Sequence, residues 1–428
     1  MFKTLVNAWK LPDIRKKILF TLLMLFVYRI GSFVPVPGTN VDYVAQQVAD
    51  KQILGFLNLM SGGALSNLTI FALGIVPYVN ASIIMQLLTV AIPALERMAK
   101  EGEEGRKRIG SITRYLGVVL GLIQAMGIIF GLGPQAVQTL TLFNTDFTWF
   151  NYLTIIVLLT AGTALIMWMG ERITDKGIGN GISLLIFISI IARFPQLVLS
   201  MFSNVGEGSM NIWVFVLAAL AAAAIIIGIT FVDLGERRIP VQYAKRIVGR
   251  KMYGGQSTHI PMKVNQSGVM PLIFAITIML FPGMIMQYFQ TSNSDLYIGY
   301  EQAFGVGTPA YIIIYTLLIF FFTYFYSTIA FNPVEVSKNM QQNGGFIPGI
   351  RPGKPTSEHL QRILVRITFF GALFLAALAA VPNFFTTFTG ISGMFGATSL
   401  LIMVNVALET TRQLEAQLMM RHYKGFLG

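Results

Sequence analysis

Apolar residues in this chain cluster into long stretches that are separated by shorter polar segments. A helix that crosses a lipid bilayer needs roughly 20 predominantly apolar residues, and ten stretches approach that length. They cover residues 18–34, 70–92, 115–132, 150–169, 182–199, 212–231, 270–288, 311–331, 367–385 and 394–408. The pattern predicts an all-α membrane protein with ten transmembrane helices.

One stretch, residues 55–93, is too apolar for a solvated loop but poorly suited to face lipid. Its polar or helix-breaking residues are Asn58, Ser61, Gly62, Gly63, Ser66, Asn67, Pro77, Asn80 and Ser82. Broken or polar backbone at membrane depth is tolerated only where protein buries it or where it lines a cavity. We interpret this stretch as a half-helix followed by a pore-lining helix. An ordinary helix with a packing face of small residues accounts for the spacing equally well.

The composition excludes several classes of protein. Hydrophobic residues make up 54% of the 428 residues and charged residues only 12%, and the mean hydropathy is +0.65, which excludes a soluble multidomain protein. The sequence contains no cysteine, so disulfides, thiol nucleophiles and thiolate metal sites are excluded. Nucleophile-elbow, zinc-protease and phosphate-loop motifs do not occur. We therefore expect no enzyme activity, no catalytic residue, no cofactor and no metal site.

Basic residues are distributed asymmetrically between the two sides of the predicted membrane protein. Of the 31 lysines and arginines, only Arg29, Lys51 and Arg193 lie away from the side that carries the N-terminus. The positive-inside rule places that side in the cytoplasm, and an even number of spans places both termini there. Arg29 lies at the outer end of the first span, where a long side chain can reach the interface, so we expect it to have a structural role.

Ten spans divide into two sets of five, and five is odd. Two related halves, residues 1–200 and 201–428, would therefore have opposite orientations, as in many transporters. Within the spans, Ile75 and Val79 lie one helical turn apart, as do Ile182 and Ile186. Two such pairs at one depth would form an aliphatic collar, although plain helix packing also explains each pair.

Two long loops on the basic side are shaped by prolines and glycines. In residues 233–266 the segment IPVQYAK alternates as a strand does, and in residues 332–366 the turns of FIPGIRPGK hold Arg351 at a tip. Orientation of the chain needs basic charge but no fixed loop shape. We therefore interpret these loops as a docking surface for a large acidic or anionic cytosolic partner, with a solvated charged face as the alternative.

Five blocks in order along the chain resemble those of the SecY family, the pore subunits of the bacterial protein-conducting channel. The blocks are IFALGIVPYVNASIIMQLL at 70–88, GERITDKGIGNGISLLIF at 170–187, YAKR with GGQSTHIPMKVN at 243–265, FNPVEV at 331–336 and FIPGIRPGK at 346–354. The resemblance implies two inverted five-helix halves around a central hourglass channel that opens sideways into lipid.

The resemblance also assigns roles to individual residues of this chain. The implied pore ring consists of Ile75, Val79, Ile182, Ile186, Ile273 and Ile402, with valine at position 79 where the family commonly has isoleucine. The implied plug is a short helix near 56–68 that includes Phe56, Leu57, Leu59, Met60, Ser61, Gly62, Gly63, Leu65 and Asn67. The implied lateral gate carries Ser82, Gln124 and Thr277, and the implied docking residues for cytosolic partners are Arg246, Arg250, Arg351 and Lys354.

The function that the resemblance implies is translocation of unfolded preproteins across the plasma membrane and release of transmembrane segments into lipid. The implied partners are SecE-like and SecG-like subunits, the SecA ATPase motor, the ribosome, preproteins with signal peptides, and membrane lipids. The residues alone leave two alternatives, a secondary transporter for a small solute or lipid and an intramembrane enzyme. The scarcity of ionisable residues within the spans argues against both an ion-coupled pump and embedded acid–base catalysis.

Overall fold

The computed structural model describes residues 8–50, 52–137, 148–206, 212–243, 246–248, 251–253, 257–289, 294–305, 308–389 and 397–424. The helices there are α1 (Pro12–Gly31), α2 (Val41–Asp50), α3 (Gln52–Met60), α4 (Val76–Ala91), α5 (Pro93–Lys100), α6 (Glu103–Leu132), α7 (Thr148–Lys176), α8 (Gly181–Gly206), α9 (Ile212–Leu234), α10 (Met270–Phe289), α11 (Ser294–Phe304), α12 (Pro309–Ala330), α13 (Pro333–Gln342), α14 (Lys354–Thr389) and α15 (Ala397–Lys424). The strands are β1 (Glu236–Tyr243), β2 (Arg246–Val248), β3 (Lys251–Tyr253), β4 (Ser257–Lys263) and β5 (Gly345–Phe346).

The chain forms two compact units. The first contains Met1–Met210, Thr277–Thr308 and Val406–Gly428, and the second contains Asn211–Ile276 and Pro309–Asn405. The predicted halves, 1–200 and 201–428, stay a prediction.

Each of the ten predicted stretches overlaps a helix, namely α1, α4, α6 to α10, α12, α14 or α15. Within the described residues, five helical segments are long and apolar enough to cross a membrane by themselves. They are Glu103–Leu132, Trp149–Lys176, Ile212–Leu234, Pro309–Gln342 and Lys354–Ala380. Helices α4 and α5, which are bent by 100° at the Ile92–Pro93 junction, form a sixth segment if they count as one span. The structure is therefore that of a mostly helical membrane protein.

Helix α9 is the clearest lipid-facing element. Only 6% of the most apolar 18 residues of α9 are buried within the protein. Leu220, Ile227 and Phe231 are all largely exposed. An apolar surface of this length would be unstable in water, because burial of such side chains is the main favourable contribution to folding. Contact with hydrocarbon removes that cost.

The first unit has a core that includes part of the 55–93 stretch. Leu57, Leu65, Leu68 and Leu73 pack there against buried residues of α2, α6 and α7. Helices α4 and α6 pack closely at Gly117, where a Cβ atom would be in van der Waals contact with Tyr78. Much of the stretch is thus packed inside the protein, as its sequence predicted, although Asn67 and the residues from Val90 to Pro93 are exposed.

The prediction of an all-α protein is wrong for the long loop after α9. Strand β1 pairs in antiparallel fashion with β4, and Ile239 lies opposite Ile260, while the other edge of β1 pairs with β5. Ile239 and Val241 are buried while their neighbours are exposed, and they pack on Met262, Met340 and Leu360. The alternation that indicated a strand at IPVQYAK is confirmed. The sheet forms because this loop carries period-two apolar residues that α13 and α14 cover.

Candidate functional site

The 55–93 stretch consists of a short helix, a run of turns and a longer helix. Helix α3 ends at Met60, residues 61–75 form consecutive turns, and α4 begins at Val76. The expected plug helix over 56–68 is therefore helical only as far as Met60. Gly62 and Gly63 have φ angles of 69° and 93°, which lie in the left-handed region that glycine adopts readily, and this backbone conformation ends the helix.

Asn58 organises the turns that follow α3. Its carbonyl oxygen accepts a hydrogen bond from Gly63 N at 2.8 Å, and its Oδ1 accepts one from Ser66 N at 3.0 Å. Ser61 Oγ in turn accepts a hydrogen bond from Leu65 N at 3.2 Å. These bonds satisfy backbone groups within the turns, which is the condition for irregular backbone at membrane depth.

The expected plug residues do not share one environment. Leu57, Ser61 and Leu65 are at most 5% exposed, so they belong to the core of the first unit. Gly62 is also buried, Met60 and Gly63 are partly buried, and Asn67 is exposed. The side chains of Phe56 and Leu59 lie outside the described residues.

The turn segment 61–75 is attached to α1 and to the residues that follow it. Val36 N donates to Leu68 O at 3.0 Å, and Ile70 N donates to Val34 O at 3.1 Å. Phe71 stacks on Tyr28 with 5.5 Å between ring centroids. Segment 61–75 is therefore held in place by backbone pairing as well as by side-chain packing.

Arg29 also contacts this segment. Its Nη1 donates to Gly62 O at 3.1 Å, and its guanidinium lies 4.8 Å from the centre of the Phe33 ring. Arg29 therefore has a structural role, as we expected. It binds the turn at Gly62 within the protein.

The two aliphatic pairs of the first unit lie at the starts of α4 and α8. Val79 N donates to Ile75 O at 3.1 Å, so Ile75 and Val79 are one turn apart on the same face. Asn180 Oδ1 accepts a hydrogen bond from Ile182 N at 3.1 Å and thereby caps α8, which carries Ile182 and Ile186. Ile75 and Ile186 are buried, whereas Val79 and Ile182 are partly exposed.

In the second unit, Ile273 is partly exposed on α10 and Ile402 is buried on α15. The residue after Ile273, Phe274, packs edge-on against Phe322 of α12 with 5.4 Å between ring centroids. This packing fixes the rotation of α10 and hence the direction of Ile273.

A polar cluster in the second unit connects α9, α15 and the segment between β4 and α10. Asn265 Nδ2 donates to Asp233 Oδ1 at 3.4 Å, and Asn405, with its amide oriented to donate, reaches both carboxylate oxygens of Asp233 at 3.2 Å. Asn265 and Asn405 are both buried. Asn405 lies three residues after Ile402, so this cluster positions the part of α15 that carries the expected ring residue.

The expected lateral-gate residues are all at least partly buried. Gln124 is 6% exposed and Thr277 is 7% exposed, while Ser82 is intermediate. Ser82 Oγ accepts a hydrogen bond from Gln86 Nε2 at 3.4 Å. Polar side chains on buried helix faces are typical of helix contacts in membranes, where each hydrogen bond contributes about 0.6 to 2 kcal/mol.

The loop between α13 and α14 presents two of the four expected docking residues to solvent. Arg351 and Lys354 are exposed, and the tip is held by a hydrogen bond from Ser337 Oγ to Gly353 O at 2.7 Å and one from Thr356 Oγ1 to Arg351 O at 2.8 Å. Arg246 begins β2, and its side chain lies outside the described residues, as does the whole of Arg250. The rigid tip predicted from the prolines and glycines is present.

A family model described as SecY matches residues 69–411 of this chain, which includes both aliphatic pairs and the loop tip. The chain belongs to the SecY family. Its full length aligns with the full length of the protein translocase subunit SecY of Halalkalibacterium halodurans at 48% identity. The SecY subunit of Streptomyces galbus is 45% identical, again over all of both chains.

Solved structures of the family have the same fold as this SecY-family chain. One described as a protein conducting channel has a TM-score of 0.66 and 18% identity, over 96% of each chain. Another, which concerns the plug domain of SecY and the closed state of the translocation channel, has a TM-score of 0.65 and 18% identity with the same coverage. Canine Sec61 in a ribosome–channel complex has a TM-score of 0.62 and 17% identity over 96% of each chain.

Several residues that shape this SecY-family site were not predicted from the sequence. Tyr28, Phe71 and Gly31 hold segment 61–75 against α1, and Asp233 joins Asn265 and Asn405. A glycine two residues after an arginine at the end of a span, as in Arg29–Ile30–Gly31, was the available signal for the first set. An acidic residue at the end of the apolar α9 was the signal for the second.

Proposed function

We propose that this chain is the channel subunit of a protein translocase in the bacterial plasma membrane. It passes unfolded preproteins outward and releases apolar segments sideways into lipid. The observation that carries the proposal is the 48% identity over its full length with a subunit named for that task. The energy comes from partners, since the sequence contains no phosphate-binding loop.

The conducting path is narrowest at a pore ring. The ring is formed by Ile75, Val79, Ile182, Ile186, Ile273 and Ile402. Support comes from their one-turn spacing on α4 and α8 and from the packing that orients α10 and α15. A narrow apolar constriction resists wetting and so blocks ions. Aliphatic side chains still accommodate a passing chain of any sequence, whereas a polar filter would select among sequences.

The ten apolar helices all span the membrane, in two inverted sets of five around an hourglass channel, with both termini in the cytoplasm. The distribution of basic residues supports this topology. Helix α4 has only 16 residues, which suits a helix that packs within the protein.

Segment 56–68 is the plug that seals the channel at rest, and Ser82, Gln124 and Thr277 lie at the lateral gate. The plug is supported by the glycine turn at Gly62–Gly63, which places a compact, non-helical segment between α3 and α4. Weak interhelical hydrogen bonds suit a gate, because a few of them hold helices together without preventing their separation.

The cytosolic partners bind the loop tip at Arg351 and Lys354 and the loop around Arg246 and Arg250. These partners are the SecA motor and the ribosome, and SecE-like and SecG-like subunits complete the complex. The exposed Arg351, on a tip held by two hydrogen bonds, supports this assignment, since guanidinium groups bind carboxylates and phosphates in a fixed geometry.

Precursor translocation into proteoliposomes tests the function. Vesicles that contain the chain with its partner subunits receive the motor, ATP and a secretory precursor. The precursor is expected to become resistant to added protease only when ATP and a signal peptide are both present. Equal protection in vesicles that lack the chain would refute the proposal.

Ion conductance tests the ring separately. Ile182→Asn and Ile186→Asn are expected to raise the resting conductance, because an amide in the constriction favours water. Ile227→Asn on the exposed face of α9 is the matched control, with the same substitution outside the ring. A rise in all three variants would indicate general destabilisation and would remove both isoleucines from the ring.

A further inference from the structure

Two arginines from different helices meet at the Gly62–Gly63 turn of the first unit. Arg29 of α1 donates from Nη1 to Gly62 O at 3.1 Å. Arg193 of α8 lies on the neighbouring residue, with its Nε 3.5 Å from the position that a Cβ atom of Gly63 would occupy. The turn therefore has a cationic side chain against each of its two glycines.

Within the turn segment, Gly63 N donates to Asn58 O at 2.8 Å and Gly63 O accepts from Ser66 Oγ at 2.8 Å, but the Gly62 carbonyl is bound from another helix, by Arg29. Neither glycine has a side chain, and both adopt left-handed φ angles. A Cβ atom at Gly62 would lie 2.9 Å from Ser189 O, so the backbone of α8 already borders the turn on one side. The position of the turn thus depends on the groups around it, among which Arg29 supplies a charge-assisted hydrogen bond.

The positive charges of the two arginines have different surroundings. Arg29 has the Gly62 carbonyl and the face of the Phe33 ring as partners. The ion pairs found in the described residues are formed by Glu96, Glu104, Glu171 and Glu236, and none of them involves Arg29 or Arg193. Both arginines are partly buried, and their side chains lie against adjacent residues of the turn, Arg29 at Gly62 and Arg193 at Gly63. Like charges repel more strongly where water is partly excluded.

We infer that this arginine pair sets how firmly the plug is held in its closed position. Arg29 is a positioning residue that retains the Gly62–Gly63 turn through the carbonyl of Gly62. Arg193 opposes it, because repulsion between the two guanidinium groups raises the free energy of the closed position. The inference rests on the proposed function only in naming segment 56–68 the plug.

Such an arrangement suits a seal that must open often. A plug held by attractive contacts alone would need a large input of energy from each arriving substrate. Built-in repulsion brings the closed and displaced positions closer in free energy, so that a modest perturbation by a signal sequence suffices to shift the population.

A single cysteine at Ser61 can report on the turn, because the chain has no cysteine of its own. Ser61 is 1% exposed, and its Oγ donates to Asn58 O at 3.1 Å, so Ser61→Cys places a thiol of similar size in a buried position. The labelling rate with a membrane-impermeant maleimide, in vesicles that hold the full chain and its partner subunits, then measures how often the turn opens. Ser66→Cys is the second reporter if the first variant does not fold.

The two arginines are expected to change this rate in opposite directions. Arg29→Met should speed labelling about tenfold through loss of a charged hydrogen bond, and Arg29→Lys should have a smaller effect because an ammonium group can still donate to Gly62 O. Arg193→Met should slow labelling about threefold, because it removes the repulsion but keeps the length of the side chain. Arg193→Lys retains the charge and should label at the parental rate.

Two outcomes would overturn the inference. Unchanged labelling in Arg29→Met would show that this arginine does not retain the turn. Faster labelling in Arg193→Met would show that both arginines simply fasten it. Labelling follows the turn directly, so these failures are distinct from failure of the precursor-protection assay, which tests the channel itself.

Discussion

Gly31 and Phe71 are in such close contact that a methyl group on Gly31 would overlap the Phe71 ring. Gly31 is the last residue of α1, and Phe71 lies in the turn segment before α4. The same ring stacks on Tyr28 one turn earlier on α1. The C-terminal end of α1 is therefore shaped to receive the segment that carries the proposed plug.

Gly31→Ala is expected to destabilise the chain by about 1 to 3 kcal/mol, because the added methyl group forces the Phe71 ring out of its position. Alanine alone favours a helix over glycine by up to about 1 kcal/mol. Gly127→Ala on α6 measures that gain by itself, since a Cβ atom there has no neighbour within 4 Å. Thermal unfolding in detergent should show a lower midpoint for Gly31→Ala and an equal or higher one for Gly127→Ala.

The hydrogen bond between Tyr28 and Ser189 predicts unequal effects for its two partners. The hydroxyl groups are 2.7 Å apart and buried, and Ser189 Oγ donates to Leu185 O at 2.8 Å. Tyr28 is therefore the donor to Ser189. Tyr28→Phe should cost about 0.5 to 1.5 kcal/mol, whereas Ser189→Ala should cost about 1 to 3 kcal/mol because it leaves a buried phenol unsatisfied. Unfolding midpoints of the two variants check the order, and a larger loss for Tyr28→Phe would contradict it.

Leu65 joins the proposed plug to the core of the first unit. It is 1% exposed, and Leu65→Ala should leave a cavity that costs about 2 to 5 kcal/mol. We expect the resting ion conductance of reconstituted channels to rise as the plug loosens. Leu220→Ala, the same substitution on the exposed face of α9, is the control and should conduct as the parent does. Deletion of the whole segment is less informative, because it would also remove Leu57 and Leu68 from the core.

Arg351→Glu should weaken binding of the cytosolic motor or the ribosome at least about tenfold, since reversal replaces attraction by repulsion at an exposed tip. The fold should not change, because the hydrogen bond that Arg351 contributes to the tip comes from its backbone carbonyl. Co-sedimentation with the motor, together with thermal unfolding, separates the two effects. Arg97→Glu on α5, an exposed charge reversal outside the loop, provides the comparison. Normal binding by Arg351→Glu would exclude the residue from the docking surface.

Asp233→Asn should lower the unfolding midpoint by an amount that corresponds to about 1.5 to 3 kcal/mol, because two buried amides lose a charged acceptor. Glu358→Gln removes an exposed carboxylate from α14 and should be neutral. If both variants unfold at the parental temperature, the cluster does not stabilise α15 near Ile402.

Local features of the sequence predicted the helices well but underestimated their length. The stretch 115–132 is part of α6, which begins at Glu103, and the stretch 367–385 is part of α14, which begins at Lys354. Both helices continue beyond their apolar part through charged residues. Helical hydrogen bonding does not end where hydropathy falls, so an apolar stretch marks the part of a helix suited to lipid and not its ends.

By itself, the sequence determined the membrane class, the positions of the ten apolar helices, the strand at Ile239 and the one-turn spacing of Ile75 with Val79. These follow from hydropathy and periodicity over a few neighbouring residues. Only the tertiary structure decided that Arg29 binds Gly62 O, that Tyr28 pairs with Ser189 and that Asn405 reaches Asp233. Tyr28 and Ser189 are 161 residues apart, and contacts over such distances depend on how the helices pack, which no local pattern specifies.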